Sequence, residues 1–350
     1  MTTSLTPSDI RAEARQQTAT RERDLAAQLG IAEAQLIAAF SGDGVTRIAA
    51  HPDRLMPAAE TCGEVMALTR NPSAVHEKVG RYSGYHPGEH AAMVLAEAID
   101  LRMFPKHWVH AFAVEKETEA GIRRSLQVFD AAGDAVHKVF LRPESDLSAW
   151  DRAVGELATG EASDRLDVAD RVPAEAPKSD PAKLEILQKE WRRLTDTHQF
   201  LRLCSKLKMN RLGAYRIAGA PFVRPLAPAA VTQMLERVRD EGIEIMLFVG
   251  NRGCIQIHSG PVHTLKPMGP WQNILDPGFN LHLRADHVAE VWAVEKPTQR
   301  GPAVSVEAFD ADGALIFQVF GVGKEGRDSR PAWGRIVEGL GGLAGVEPAE

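Results

Sequence analysis

Apolar and polar positions follow two different periods along this chain, and the periods sort it into segments. Residues 8–39 carry a helical pattern. SDIRAEARQQ begins on a Ser/Asp start signal, ATRERDLAAQLG is rich in helix formers, Gly30 stops it, and IAEAQLIAAF starts again. Strand-like alternation takes over in 64–70 (EVMALTR) and 73–79 (SAVHEKV), separated by the turn signal Asn71-Pro72. GYHPGEH (84–90) reads as a loop, and AAMVLAEAI after it fits either helix or strand. Residues 108–116, 124–133 and 134–142 then form an antiparallel meander that turns at Asp130–Gly133. Residues 143–182 lose the pattern. RVPAEAPKSDPAK is proline-rich, charged and free of aromatics, as an interdomain linker is. Asp180-Pro181 predicts the start of a long helix whose stripe is Leu187, Trp191, Leu194, His198 and Leu201, in steps of four and three. Strand patterns return at 242–250 and 254–260, followed by a second meander.

The second meander repeats the first. AVEK stands at 113–116 and again at 293–296, and from Ala113 to Phe140 against Ala293 to Phe320 13 of 28 positions are identical without a gap. One fold used twice is the implication. Strands dominate each half and helices lie at its start, which predicts an α+β architecture: an internal duplication of two similar halves, each with a large antiparallel β-sheet and flanking helices. The expected division is an N-terminal repeat at 1–160, a linker at 161–182 and a C-terminal repeat at 183–350. A feature present in one copy only is not needed to build the unit, so such features are where function is sought.

Composition narrows the classes. With 350 residues, 44% hydrophobic and 25% charged, the chain fits a two-domain globular protein. A net charge of −6 without a long basic run argues against a nucleic-acid partner. No stretch is apolar and long enough to span a bilayer, and the first residues lack a secretory h-region. Cys62, Cys204 and Cys254 are scattered and odd in number, so a disulfide framework is disfavoured and a cytoplasmic location is expected.

His198 is the first chemical candidate, because the first copy has no histidine at or near the matching place. It is either a satisfied core histidine or an iron ligand, since a neutral imidazole in an apolar wall suits a haem. Arg102, in IDLRMF, matches His282 in the alignment of the two copies; it is either a surface charge on a packed stem or a donor aimed into a cleft. Lys116 and Lys296 end the two AVEK strands and read first as partners of structural ion pairs. Arg211, thirteen residues beyond His198 in the same helical region, is a basic group suited to carboxylates. Met246, Trp271, Phe104 and Phe317 are core residues or the walls of a flat apolar ligand. The spacings His86/His90 and His107/His110 could hold zinc but lack cysteine or carboxylate partners. GxSxG, P-loop, GxGxxG and HExxH motifs are absent, and the absence of CxxCH excludes covalent haem.

Five segments, VMALTRNPSAVHEK, DLRMF, DTHQF, FVGNRGCIQIHSGPV and the paired AVEK strands, together resemble the bacterial haemin-degrading or haemin-trafficking family over nearly the whole chain. The resemblance implies a cytoplasmic protein of haem uptake with non-covalently bound haem b, His198 as the axial ligand of its iron and Arg102 as the distal donor. It further implies Arg211 and Lys296 near the haem carboxylates, and Phe104, Met246, Trp271 and Gln318 as pocket residues. The implied partners are an inner-membrane haem importer and a haem oxygenase, with no membrane insertion. Two activities stay open. Haem carriage to a downstream enzyme is the preferred one, because no group is placed for proton delivery; a haem-degrading, monooxygenase-type enzyme is the alternative.

Overall fold

The computed structural model describes residues 5–324 and 326–343. The chain divides into two compact units, unit 1 (Met1–Arg70, His76–Val172 and Gly250–Gln256) and unit 2 (Asn71–Val75, Pro173–Val249 and Ile257–Glu350). Each repeat therefore lends a short segment to the unit built mainly from the other, which alternation along a strand cannot foretell.

Unit 1 opens with helices α1 (Pro7–Gln16), α2 (Glu22–Leu29) and α3 (Glu33–Ala38). Thr6 and Asp9 form a capping box on α1, and Gly30 closes α2 in the left-handed region, φ 68°, as its position predicts. There follow β1 (Val45–Arg47), α4 (Pro52–Thr61), β2 (Val65–Arg70), β3 (Ala74–Gly80), β4 (Tyr85–His86), β5 (Ala92–Leu95), β6 (Asp100–Met103), β7 (His110–Thr118), β8 (Gly121–Phe129), β9 (Ala135–Leu141) and α5 (Leu147–Leu157). Six strands of its large antiparallel sheet run β1-β7-β8-β9-β2-β3, and β4-β5-β6 form a separate meander. The ambiguous stretch at 91–99 holds the short strand β5 and no helix, and part of the predicted loop pairs as β4, Tyr85 opposite Val94. Helix α5 corrects the expectation that pattern ends at 143. Asp146 caps it by accepting from the Ala149 amide at 3.0 Å, and Ala149, Trp150, Ala153 and Leu157 form its buried face.

The interior of unit 1 holds a directed hydrogen-bond chain. Tyr82 donates to His137 Nε2 (2.5 Å), His137 Nδ1 to Thr69 Oγ1 (2.8 Å), and Thr69 to Gln256 Oε1 (2.9 Å), whose Nε2 donates to the Ala67 carbonyl (3.0 Å). Burial pulls the His137 imidazolium down to about 3, so the ring is neutral. The lent segment also supplies the Gly253 carbonyl to the Phe104 amide (2.9 Å) and to Trp108 Nε1 (2.8 Å).

Unit 2 begins with α6 (Leu184–Trp191), α7 (Gln199–Leu207) and α8 (Arg211–Ala218), continues through β10 (Val223–Leu226), α9 (Ala230–Asp240), β11 (Ile245–Gly250), β12 (Cys254–Gly260), β13 (Leu265–Met268), β14 (Trp271–Asp276), β15 (Phe279–Arg284), β16 (Glu290–Lys296), β17 (Ala303–Phe309) and β18 (Leu315–Gly321), and ends in α10 (Arg330–Glu338). Its large antiparallel sheet contains β10-β16-β17-β18-β11-β12 in that order, and β13-β14-β15 form a meander. Helices α5 and α10 show that each half also ends in a helix, beyond the ones expected at its start.

The single long helix predicted after Asp180 is two helices. Asp180 does cap, through the Ala182 amide, but only a short 3-10 turn precedes α6. The α6 helix ends at Trp191, where Thr195, Asp196 and Thr197 offer the backbone other partners. The Asp196 carboxylate accepts from the His198 amide (2.8 Å) and Gln199 Oε1 from the Thr195 amide (2.9 Å). Arg211 lies on a third helix, not on that of His198. Helix α8 is capped by Asn210 and pressed against the linker, where the Lys178 carbonyl lies 1.9 Å from where a Cβ on Gly213 would sit, so only glycine fits.

Candidate functional site

In unit 2 the two faces of the large sheet have different fates. Val291, Ala293, Val306, Ala308, Phe317, Val319, Ile245 and Leu247 point into a core closed by α9 and α10. On the other face, cross-strand register aligns Trp292 with Glu307 and Gln318, and Ser305 with Phe320 and Met246, while Phe248 pairs with Gln318. Helices α6 to α8 cover one end of this face through a cluster of Leu187, Trp191, Phe200, Tyr215, Trp292 and Phe309. At the other end Met246, Phe248, Gln318 and Phe320 are only half-buried. A partly open apolar floor with one amide thus lies on β11 and β18. Phe317 is not part of it, being buried on the opposite face.

Beside this floor stands a buried ionic group. Glu307, wholly inaccessible, accepts from Arg211 Nη1 (2.7 Å) and Tyr215 OH (3.0 Å) at Oε2, and from Lys296 Nζ (2.9 Å) and Ser305 Oγ (2.9 Å) at Oε1. Burial opposes its ionisation, but Lys296 and Arg211 outweigh burial and hold the carboxyl well below the usual range. Lys296 also donates to Tyr215 OH (2.9 Å) and lies over the Phe200 and Tyr215 rings at 5.0 and 5.3 Å. The AVEK lysines do make ion pairs, but not with the AVEK glutamates. Lys296 pairs with Glu307, Lys116 with Glu22, and Glu115 takes Arg124. Of the two cations paired with Glu307, Arg211 is the one that reaches solvent, its side chain 21% exposed against 4% for Lys296.

His198 does not lie in an apolar wall. It occupies the N-cap position of α7, and its side chain is 93% exposed. Helix α7 buries Phe200, Leu203, Cys204 and Leu207. His198 is two positions, about 200°, from Phe200 and so faces away with the exposed Leu201, Arg202 and Ser205. Its ring is nonetheless oriented. Asp196 Oδ1 lies 2.7 Å from Nδ1 and accepts the backbone amide as well, while Nε2 has no hydrogen-bond partner among the described residues. A carboxylate on one ring nitrogen fixes the tautomer and leaves the other as the ligating atom.

The remaining predicted residues are dispersed. Trp271 is on β14, in the meander, with Arg284 stacked over its ring at 5.4 Å. Arg102 and Phe104 belong to unit 1. Arg102 is on β6, half-buried, donating to Asp100 and to the Leu101 carbonyl (3.0 Å). Among the described residues no group of three or more His, Cys, Asp and Glu is gathered as a metal site, around His86/His90 and His107/His110 included. Sequence reasoning passed over Glu307, Tyr215, Asp196, Phe248 and Phe320. For Glu307 a signal was at hand, since the first copy has Gln127 at the same offset.

The repeat, the two sheets and their helices correspond to a known domain type. The model of the haemin-degrading HemS.ChuX domain matches the chain twice, over residues 30–157 and 208–340, and the chain belongs to that family. Among individual proteins, it is 38% identical over 313 residues to the hemin transport protein HmuS of Yersinia pestis, covering 89% of this chain and 90% of that one. The crystal structure of holo-PhuS, a heme-binding protein from Pseudomonas aeruginosa, superposes with a TM-score of 0.92 at 39% identity, covering 97% of this chain and all of that one. That of ChuS, described as an E. coli heme oxygenase, does so with 0.85 at 33% identity, covering 95% of this chain and 99% of that one. No helix among the described residues is long and apolar enough to cross a membrane.

Proposed function

We propose that this chain binds haem b non-covalently through His198 and carries it in the cytoplasm, from an inner-membrane importer to a haem-degrading enzyme. The observation that carries the reading is the solvent-facing imidazole with Nδ1 tied to Asp196. The donor types suit the group: an imidazole for iron on α7, facing away from the cluster that packs on the sheet, and on the sheet an apolar floor of Met246, Phe248 and Phe320 with Gln318 within it, beside Arg211 for a carboxylate. When bound, haem supplies an iron centre with an open coordination position for the imidazole. The chain's own residues would orient the imidazole of His198, offer the apolar floor to the macrocycle and hold a cation for a carboxylate. Arg102, as a donor that cannot accept a proton at ordinary pH, and Phe104 and Trp271, as apolar contacts, enter the proposal on the family likeness alone.

A ligand on an exposed side chain can be handed over without opening a core, and this favours carriage over ring-opening. The test is His198→Ala. Its side chain is 93% exposed and, among the described residues, hydrogen-bonds Asp196 alone, so the apo fold should persist while haemin binding weakens and the Soret band changes. Unchanged affinity and spectrum would remove His198. Anaerobic transfer of haem from the loaded protein to a haem oxygenase supports carriage. Loss of the Soret band under reductant and air, insensitive to catalase, supports an enzyme instead.

A further inference from the structure

Glu307 is a buried charge that the fold does not require. The first copy builds the same strand with the neutral Gln127, which donates to Ser125 (3.0 Å) where Glu307 accepts from Ser305. Charge enters the equivalent face of unit 1 one strand over. There Lys138, opposite Gln127, is held by Glu33 at 2.6 Å. In unit 2 that lysine is replaced by Gln318 and the charge becomes a carboxylate on β17. Unit 1 also buries a carboxylate between two cations, Glu33 with Lys138 and Arg70, but on helix α3; among the described residues it is in unit 2 that the carboxylate stands on the sheet itself, with two cations and two hydroxyls around it.

We propose that Glu307 is a positioning and specificity-determining residue, which holds Arg211 so that the site recognises a carboxylate on its ligand. The inference rests on the haem reading above and deepens it. Arg211 has five N–H donors, of which the Nη1 contact is committed to Glu307, and its side chain keeps an exposed part. Lys296 is buried and directed inward, so it serves as the second counter-charge of Glu307 rather than as a surface cation. Two cations against one carboxylate leave one unit of positive charge uncompensated, and the guanidinium is the member through which it meets solvent. An isosteric amide at 307 would set an NH2 group against donors and strip Lys296 of its counter-ion, and Arg211 would lose its anchor.

The experiment compares haemin with its dimethyl ester, which keeps the iron and the macrocycle but has no carboxylates. Wild type should prefer haemin by about 10-fold or more. Glu307→Gln should bring that ratio close to one by weakening haemin far more than the diester, with the Soret position of the loaded variant kept, because His198 is untouched. Glu307→Asp, which keeps the charge, should restore part of the preference, and Glu307→Gln should add nothing in an Arg211→Ala background. Equal loss of both ligands in Glu307→Gln, or an unchanged ratio, overturns the proposal and leaves haem binding standing. Wild type that binds haemin and diester equally overturns it as well. Wild type that binds neither removes the haem reading itself.

Discussion

Replacing Asp196 with alanine separates ligand positioning from folding. The carboxylate accepts from the His198 amide at 2.8 Å and from its ring at 2.7 Å. The two side chains are 57% and 93% exposed, and a pair this open contributes about 0–1 kcal/mol to stability. For a unit of this size that moves the apo melting temperature by no more than about 4 °C. The same contact orients a metal ligand, and loss of such an outer partner costs about 10–100-fold in affinity, or roughly 1.4–2.8 kcal/mol. Asp196→Ala should therefore weaken haemin binding by that factor with little thermal effect. Scanning calorimetry of the apo protein and a haemin titration on the same sample measure both. Haemin affinity within 2-fold of wild type, or a fall in affinity matched by a large loss of melting temperature, would refute the orienting role.

Two further outcomes follow from unit 1. The neutral His137 ring donates at Nδ1 and accepts at Nε2, and burial has drawn its titration down to about 3 from 6.5. A group with a depressed folded value takes up protons on unfolding, so its stabilisation is complete above pH 6.5 and falls as pH drops towards 3. Between pH 6.5 and 5 the loss should be about 2 kcal/mol in urea denaturation of the apo protein, and His137→Gln should lack this slope; parallel slopes for both proteins would dismiss it. For Arg102→Ala, azide affinity of the haemin-loaded ferric protein should drop by about 10-fold while haemin retention changes little. Identical azide binding would end the donor assignment.

Much of the fold was legible because strand alternation and the repeat reinforce each other. The meander, its turn at Asp130–Gly133 and the Gly30 stop all lie where the pattern puts them. The long helix was misread for a physical reason. Leu187, Trp191 and Leu194 before the break, and Phe200 after it, pack into one cluster, so the apolar spacing runs on while the helix does not. The break at Thr195–Thr197 is what turns His198 outwards, and a stripe count alone points it inwards. Glu307 was readable from the comparison of copies, but its partners, brought from three separate elements, were not. Half-buried Phe248 and Phe320 were hidden because alternation marks two faces without saying which of them a helix covers.

The short segments lent between the repeats bear on where such a protein could have come from. The first repeat made without the second would leave the Phe104 amide and the Trp108 indole without the Gly253 carbonyl, and Thr69 without Gln256. A forebear with a single copy could have filled those vacancies only from a sister molecule, making folding and pairing one concentration-dependent event. Fusing two genes would have abolished that dependence at once, and left each copy free to diverge around a different set of charges.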